Sequence, residues 1–452
     1  MKGKISVFAM SLLLIISTML AAVGGEVVNK EESVSEGIEE NETQDAQEIY
    51  DWYDLDEVRS DLNGDYVLMN DLGENTTGYD DLVDTEDGWE PIGEWDSDKD
   101  VGFNGTFDGN GHEIRDLYIN RTGEYYVALF GGTENRSEIT DAGVVDADVS
   151  GNWYVGGLVG QNSGTVINSY ATGTVTGSEN LVGGLVGSNS GTVSDSHATG
   201  TVTGSGEYIG GLVGRNGGTV ENSYATGDVS GSRSVGGLLG ENSGTVSNSY
   251  NTGDVSGSRS VGGLLGENSG FVNNSYNTGD VSGSRSVGGL VGWNSGRLDN
   301  SHYNIDTVMI NGGHHVTIGG LFDEQYQDWI EDKNLDIADY SDTLVPVGDH
   351  YEISSVDGLR DLLGFAGDEE YYFRLTGDID LSNEPGLYIP YLSAEFEGAG
   401  HTVSNLYIDM SFAGAIGMFG QVRDGVVTNI GVVDADLSGS SSIGGLVGSN
   451  YE

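Results

Sequence analysis

Residues 235–260 read VGGLLGENSGTVSNSYNTGDVSGSRS, and this stretch decides the fold because its pattern returns column by column. The string Gly-Gly-Leu-(Val/Leu)-Gly carries its leucine at Leu158, Leu185, Leu212, Leu238, Leu264 and Leu290, in steps of 27, 27, 26, 26 and 26. Asparagines keep the same step at Asn162, Asn189, Asn216, Asn242, Asn268 and Asn294, and serines at Ser169, Ser196, Ser223, Ser249, Ser275 and Ser301. Beside the serines runs an aromatic-or-histidine column: Tyr170, His197, Tyr224, Tyr250, Tyr276 and His302. Val175, Val202, Val229, Val255 and Val281 form a fifth. Fixed-step self-similarity of this kind is the mark of a repeat architecture.

Each unit holds three β-like pieces, as in Val235–Leu239, Thr245–Tyr250 and Asp254–Ser256, with glycine, asparagine and serine as turn formers between them. No stretch of the repeat keeps a 3.6-residue period over a helix length, which excludes helical repeats. So small a unit cannot bury its own apolar face, but stacked units can, each making one coil laid on the last. Identical residues then sit about 4.8 Å apart in ladders. Asparagines hydrogen-bond along the axis, tyrosines stack, and leucine and valine fill the interior. The predicted fold is all-β: a parallel β-helix, or β-solenoid.

The repeated Gly-Gly-Leu-x-Gly units from Gly156 to about Tyr303 resemble the GLUG motif of secreted and cell-surface (adhesin-like) proteins of bacteria and archaea. That motif also occurs in the non-catalytic N-terminal region of some immunoglobulin A peptidases. Phe107–His112 (FDGNGH) followed by Leu117-Tyr118-Ile119 resembles the lead-in found before such repeats. The resemblance implies a β-helix on the cell surface and brings no catalytic residue.

The lead-in occurs twice, as FDGNGHEIRDLYIN at Phe107–Asn120 and FEGAGHTVSNLYID at Phe396–Asp409. Each precedes a Gly-Val-Val-Asp-Ala-Asp segment (143–148 and 431–436) and then a Gly-Gly-Leu-Val-Gly unit (156 and 444). Short helices are expected before each lead-in, at Leu55–Leu62 and Val356–Leu363, where a cap would shield the first coil's open edge. Two modules follow, 48–303 (repeats 151–303) and 350–452. A connecting segment at 304–349 carries a short helix around Phe322–Asp336, with Tyr326, Trp329 and Ile330 at near-helical spacing. The second module stops midway through a coil, which reads as a fragment.

Residues 1–24 read as a signal peptide: Lys2 and Lys4, then an apolar run to Leu20, then small residues at 22–24. Residues 25–47 read as a disordered acidic spacer. No other apolar stretch suggests membrane insertion. Cysteine is absent, which removes disulfides, thiolate metal sites and cysteine nucleophiles. The formal charge of −55, from 72 acidic against 17 basic residues, repels nucleic acid. Acid-rich, lysine-poor chains suit high salt, where screening contracts to about 3 Å near 1 M. Residues 151–300 hold ten acidic and five basic residues, a net −5, so −50 lies outside them.

Candidate chemistry is sparse. Polysaccharide lyases on β-helices use a basic residue beside acidic partners, and Arg233, Arg259 and Arg285 each follow Asp228, Asp254 and Asp280 by five positions. Being repeated, these read as an exposed Asp–Arg ladder that offsets like-charge stacking. His112-Glu113 lacks the second histidine of H-E-x-x-H and lies in a strand-like segment, and His314-His315 are adjacent and read as loop or turn residues. Asp96, Asp98 and Asp100, and Asp61 to Asp65, are partial calcium loops; no cofactor or dedicated metal site is expected, only weak Ca²⁺ binding by acidic loops. Sequons begin at Asn41, Asn75, Asn104, Asn120, Asn135 and Asn273, and only some are expected to carry glycans.

The sequence therefore predicts an exported, non-catalytic surface protein presenting a stiff face for adhesion or envelope assembly. Its partner would be a cell-envelope component, an extracellular polysaccharide or another cell surface. A lyase-like carbohydrate-active enzyme, or the arm of a larger exported enzyme, are the alternatives. Salt is expected to stabilise the chain, and the flanks more than the repeats. A melting midpoint that stays flat between about 0.01 M and 1 M salt, where screening changes most, would count against this.

Overall fold

The computed structural model describes residues 46–451 apart from 97 and 98, and excludes the side chains of 94–100. Each coil lays its strands on those of the coil before it in parallel register, so Leu239, Glu241 and Asn242 sit over Leu265, Glu267 and Asn268. The repeats thus build four sheets along one axis. Sheet I has ten strands, sheet II fourteen, and sheets III and IV seven each. In one representative coil they take Thr245–Ser247 (sheet I), Tyr250–Asn251 and Val255–Ser256 (sheet II), Arg233–Gly236 (sheet III) and Leu239–Asn242 (sheet IV).

A coil therefore holds five short strands where the sequence suggests three. The expected Val235–Leu239 strand breaks after Gly236, because the chain turns a corner there to send Leu238 inward. The expected Thr245–Tyr250 strand breaks at Asn248, whose φ is 50°. Asp141, Asn168, Asp195, Asn222, Asn274 and Asn300 share that corner at φ from 43° to 51°. Asparagine and aspartate are the non-glycine residues that tolerate the left-handed region best, so the recurring Asn/Asp-Ser-aromatic triplet is a corner signature.

A second left-handed column lies in sheet III at Tyr126, Tyr154, Leu181, Tyr208, Ser234, Ser260 and Ser286, with φ from 51° to 66°. It throws the backbone against sheet IV. A Cβ on Gly240 would stand 2.4 Å from both the Tyr208 carbonyl carbon and the Ile209 nitrogen. On Gly236 it would stand 2.0 Å from the Leu239 oxygen. Glycine is required at both because backbone passes backbone with no room for a side chain. The Gly-Gly-Leu-x-Gly string is this crossing, and its leucine is the plug: all six repeat leucines are fully buried.

Among the described residues four α-helices lie around the stack. Helix α1 (Trp52–Glu57), N-capped by Asp51 and continued by a 3₁₀ turn at Val58–Ser60, buries Trp52 and Leu55. It starts three residues before the expected Leu55. Helix α2 (Tyr79–Leu82) is a single turn. Helix α3 (Asp323–Asp332) buries Trp329, and helix α4 (Val356–Asp361), with its 3₁₀ turn Leu362–Gly364, occupies the expected 356–363.

The described residues lie in one compact unit, and buried apolar side chains from Ile49 to Val422 make one large cluster, beside which Leu321, Tyr326 and Trp329 form a small second one. The connecting segment extends the stack: Ile310 bridges Val281, and Gly320–Leu321 pairs with Tyr303–Asn304. Tyr407–Ile416 then packs on Arg285–Gly288. Gln421 Nε2 donates to the Asn294 carbonyl at 2.9 Å, and Arg423 donates to the Ser295 carbonyl. The strands Tyr372–Leu375, Glu395–Glu397 and Val426–Thr428 repeat the parallel order that Asp65–Leu68, Thr106–Asp108 and Glu138–Thr140 set at the other end.

Leu264 has no exposed surface, so Leu264→Ala is expected to destabilise the chain by about 2–5 kcal/mol in denaturant titration. A loss below about 0.5 kcal/mol would be that of a surface position and would contradict this packing.

Candidate functional site

The aromatic column stands on the outside of sheet II. The rings of Tyr170, His197, Tyr224, Tyr250 and Tyr276 follow one another at 5.0, 4.7, 5.0 and 4.9 Å, within 10° of parallel. The strand spacing and the preferred ring spacing nearly coincide, so one register satisfies both. The stack has polar ends. Tyr170 donates its hydroxyl to Glu113, and burial with that carboxylate pushes its pKa up to about 12. At the other end the Lys333 ammonium lies 4.0 Å over Tyr276 and 4.4 Å over Trp329, and burial lowers it to about 8. His302 leaves the stack to meet Trp329 edge-on at 4.9 Å and is fully buried, which drives its pKa down to about 3.

Asparagines line the inside of the corner after sheet IV. Each Nδ2 from Asn162 to Asn268 donates to the Oδ1 of the next at 2.8–2.9 Å. Most donate also to a carbonyl two residues on, as Asn216 does to Gly218 at 3.3 Å. Thr133 closes one end by donating to Asn162 Oδ1 at 2.8 Å. The serine column works differently: the Ser169 N–H donates to Ser196 Oγ at 3.1 Å, and that hydroxyl donates to the Ser194 carbonyl at 2.7 Å. Val175, Val202, Val229, Val255 and Val281 face the interior. These columns hold the rod together; none is open to a ligand.

The expected Asp–Arg ladder does not form. A corner separates the two columns, so five residues along the chain carry them to different sheets. Asp228 and Asp254 instead accept the backbone N–H of the next aspartate, at 3.1 and 2.9 Å, and Asp280 accepts that of Met309 at 2.8 Å. Arg233, Arg259 and Arg285 lie over one another, and Arg233 pairs with Glu207 at 2.6 Å.

One cluster the sequence reading missed is not repeated. The position before each ladder asparagine is Gln161, Ser188, Arg215, Glu241, Glu267 and Trp293, a column that changes from coil to coil. Glu241 and Glu267 are register partners on adjacent coils. Arg215 donates to Glu241 at 2.9 Å, and the Ser234 hydroxyl donates to Glu267 at 2.8 Å. Burial raises the Glu241 pKa, Arg215 opposes it, and Glu267 adds to it. The available signal was the variability itself, because a column free of packing duty is where the repeat can carry a site.

The remaining candidates are scattered. His112 lies at a strand start beside Asp71, 3.1 Å away, and His314 and His315 lie in a loop, with His315 against Phe412. The side chains of Asp96, Asp98 and Asp100 lie outside the described residues. Among the described residues no group of three or more acidic or histidine side chains is set to hold a metal. Asn75, Asn120 and Asn135 are exposed, Asn104 and Asn273 half-buried, and Asn41 lies outside the described residues.

Asn242→Asp keeps shape but replaces a buried donor with an anion facing Asn268 Oδ1. The expected loss is about 1–3 kcal/mol or more at pH 7, shrinking toward pH 4. Burial raises a carboxyl's pKa, and the protonated form regains a donor. Equal stability of the variant and the parent at pH 7 in urea titration would refute the ladder.

The family described as "The GLUG motif" matches residues 151–176, 178–203, 205–230 and 231–256. The coils built on Leu264 and Leu290 continue the same register beyond them. Halomucin of Haloquadratum walsbyi is 34% identical over 127 residues, which are 28% of this chain and 1% of that protein. A Bacteroides ovatus chain solved under the description of an immunoglobulin A1 protease aligns with a TM-score of 0.44 at 21% identity, over 56% of this chain and 84% of its own. Among the described residues no helix is long and apolar enough to cross a membrane. Residues 151–256 of this chain therefore carry GLUG motifs, each one coil of a parallel β-helix.

Proposed function

We propose that this chain is an exported, non-catalytic rod that displays its outer columns at a cell surface for adhesion or envelope assembly. The observation that supports this best is the uniformity of the stack. The aromatic column recurs over five coils and the aspartate and arginine columns over three, at one spacing along a single core, so a long partner would meet the same chemistry on successive coils and gain from many weak contacts. A cell-envelope component, an extracellular polysaccharide or another cell surface is a partner of that kind. The basic, apolar start of the chain supports export. The likeness to a protein whose name joins salt and mucin supports a surface role in brine, as does the charge of −55.

The test is turnover. Purified chain, with and without calcium or zinc, is expected to cleave no polysaccharide and no peptide, read by reducing ends and by mass spectrometry. Glu241→Gln and Glu267→Gln change the one non-repeated carboxylate pair described above. Cleavage by the parent that either substitution abolishes would overturn the scaffold reading.

A further inference from the structure

We propose that the cavity between the last full coil, the connecting segment and the second module binds a neutral sugar unit. This goes beyond the scaffold reading and stands without it. The cavity measures about 330 Å³, near the lower end of the roughly 300–1,000 Å³ typical of small-molecule sites. It opens where three parts of the fold meet, on the last strands of the repeats, the loop before α3, and the turn after α4.

One wall holds an unspent polar group. His302 lines the cavity, is buried, and has an Nδ1 with no hydrogen-bond partner. Trp329, edge-on at 4.9 Å, keeps the ring from turning away. Native structures seldom leave such a buried nitrogen unpaired, and a hydroxyl, which both donates and accepts, can partner it in either tautomer.

The rest of the lining selects the class of ligand. Asp299 and Asn334 supply further acceptors and donors, while Tyr371, Tyr391 and Phe365 supply ring surface. No lysine or arginine lines the cavity, so an anion finds no counter-charge and two carboxylates, Asp299 and Asp368, to repel it. Hydroxyl donors for acceptors and flat apolar C–H faces for rings describe a neutral sugar.

Gly367 sits exposed at the rim, and a Cβ there would meet the Tyr391 ring at an unstrained 3.7 Å, so a larger side chain at this position can enter the mouth without disturbing the core. The experiment is calorimetric titration of the full chain with glucose, galactose, mannose and N-acetylglucosamine. At least one is expected to bind saturably at one site per chain. His302→Phe, which keeps an aromatic ring in its column, and Gly367→Leu are each expected to weaken binding at least tenfold with unchanged melting. If His302→Phe fails to fold, Gly367→Leu decides. Absence of saturable binding by all four sugars, or binding that survives Gly367→Leu, would overturn the proposal.

Discussion

Everything in this molecule depends on how closely one stretch of backbone can pass another. At the corner between sheets III and IV the left-handed column pushes the chain onto Gly240 and its equivalents, where a Cβ would fall 2.4 Å from backbone atoms. That approach closes each coil tightly enough for successive coils to sit one strand spacing apart, about 4.8 Å. The ladders inherit this spacing. Rings stack, asparagine amides reach one another, and leucines fill the bore, because the glycine crossing has already fixed the rise.

The fold was legible because packing repeats leave packing columns. Leucine, asparagine, serine and valine recur at a fixed step, and each turns out to face inward or to hold a corner. Reading by spacing along the chain failed where a corner intervened. Asp228 and Arg233 are five residues apart in sequence, yet the turn at Gly231 and Ser232 carries them to different sheets, and each bonds along its own column instead. Neighbours in a solenoid are one coil away more often than a few residues away. For the same reason the pair Glu241 and Glu267, distant in sequence, escaped notice although the structure puts them side by side.

The junction was the least legible part. Duplication of the lead-in marks two sequence units, but nothing in the pattern reveals that Gln421 would donate to the Asn294 carbonyl or that Trp329 would close under His302. Both contacts join irregular segments to a regular end, and irregular segments have no period to read. The cavity arises at this seam because a regular stack and a differently shaped neighbour cannot match at every point. Charge follows the same division. The ladders tolerate little of it inside, so the net −50 collects in the segments that flank them.

Two consecutive coils, 235–260 and 261–286, differ only at Thr245/Phe271 and Ser247/Asn273. Sequences so alike, end to end and with no change of reading frame between them, invite misaligned recombination. Each such event would add or remove one whole coil and leave the ladders unbroken on either side. Rod length in this protein is therefore an inheritable quantity that changes in steps of about 4.8 Å, adjustable by the genome without any new packing having to be invented.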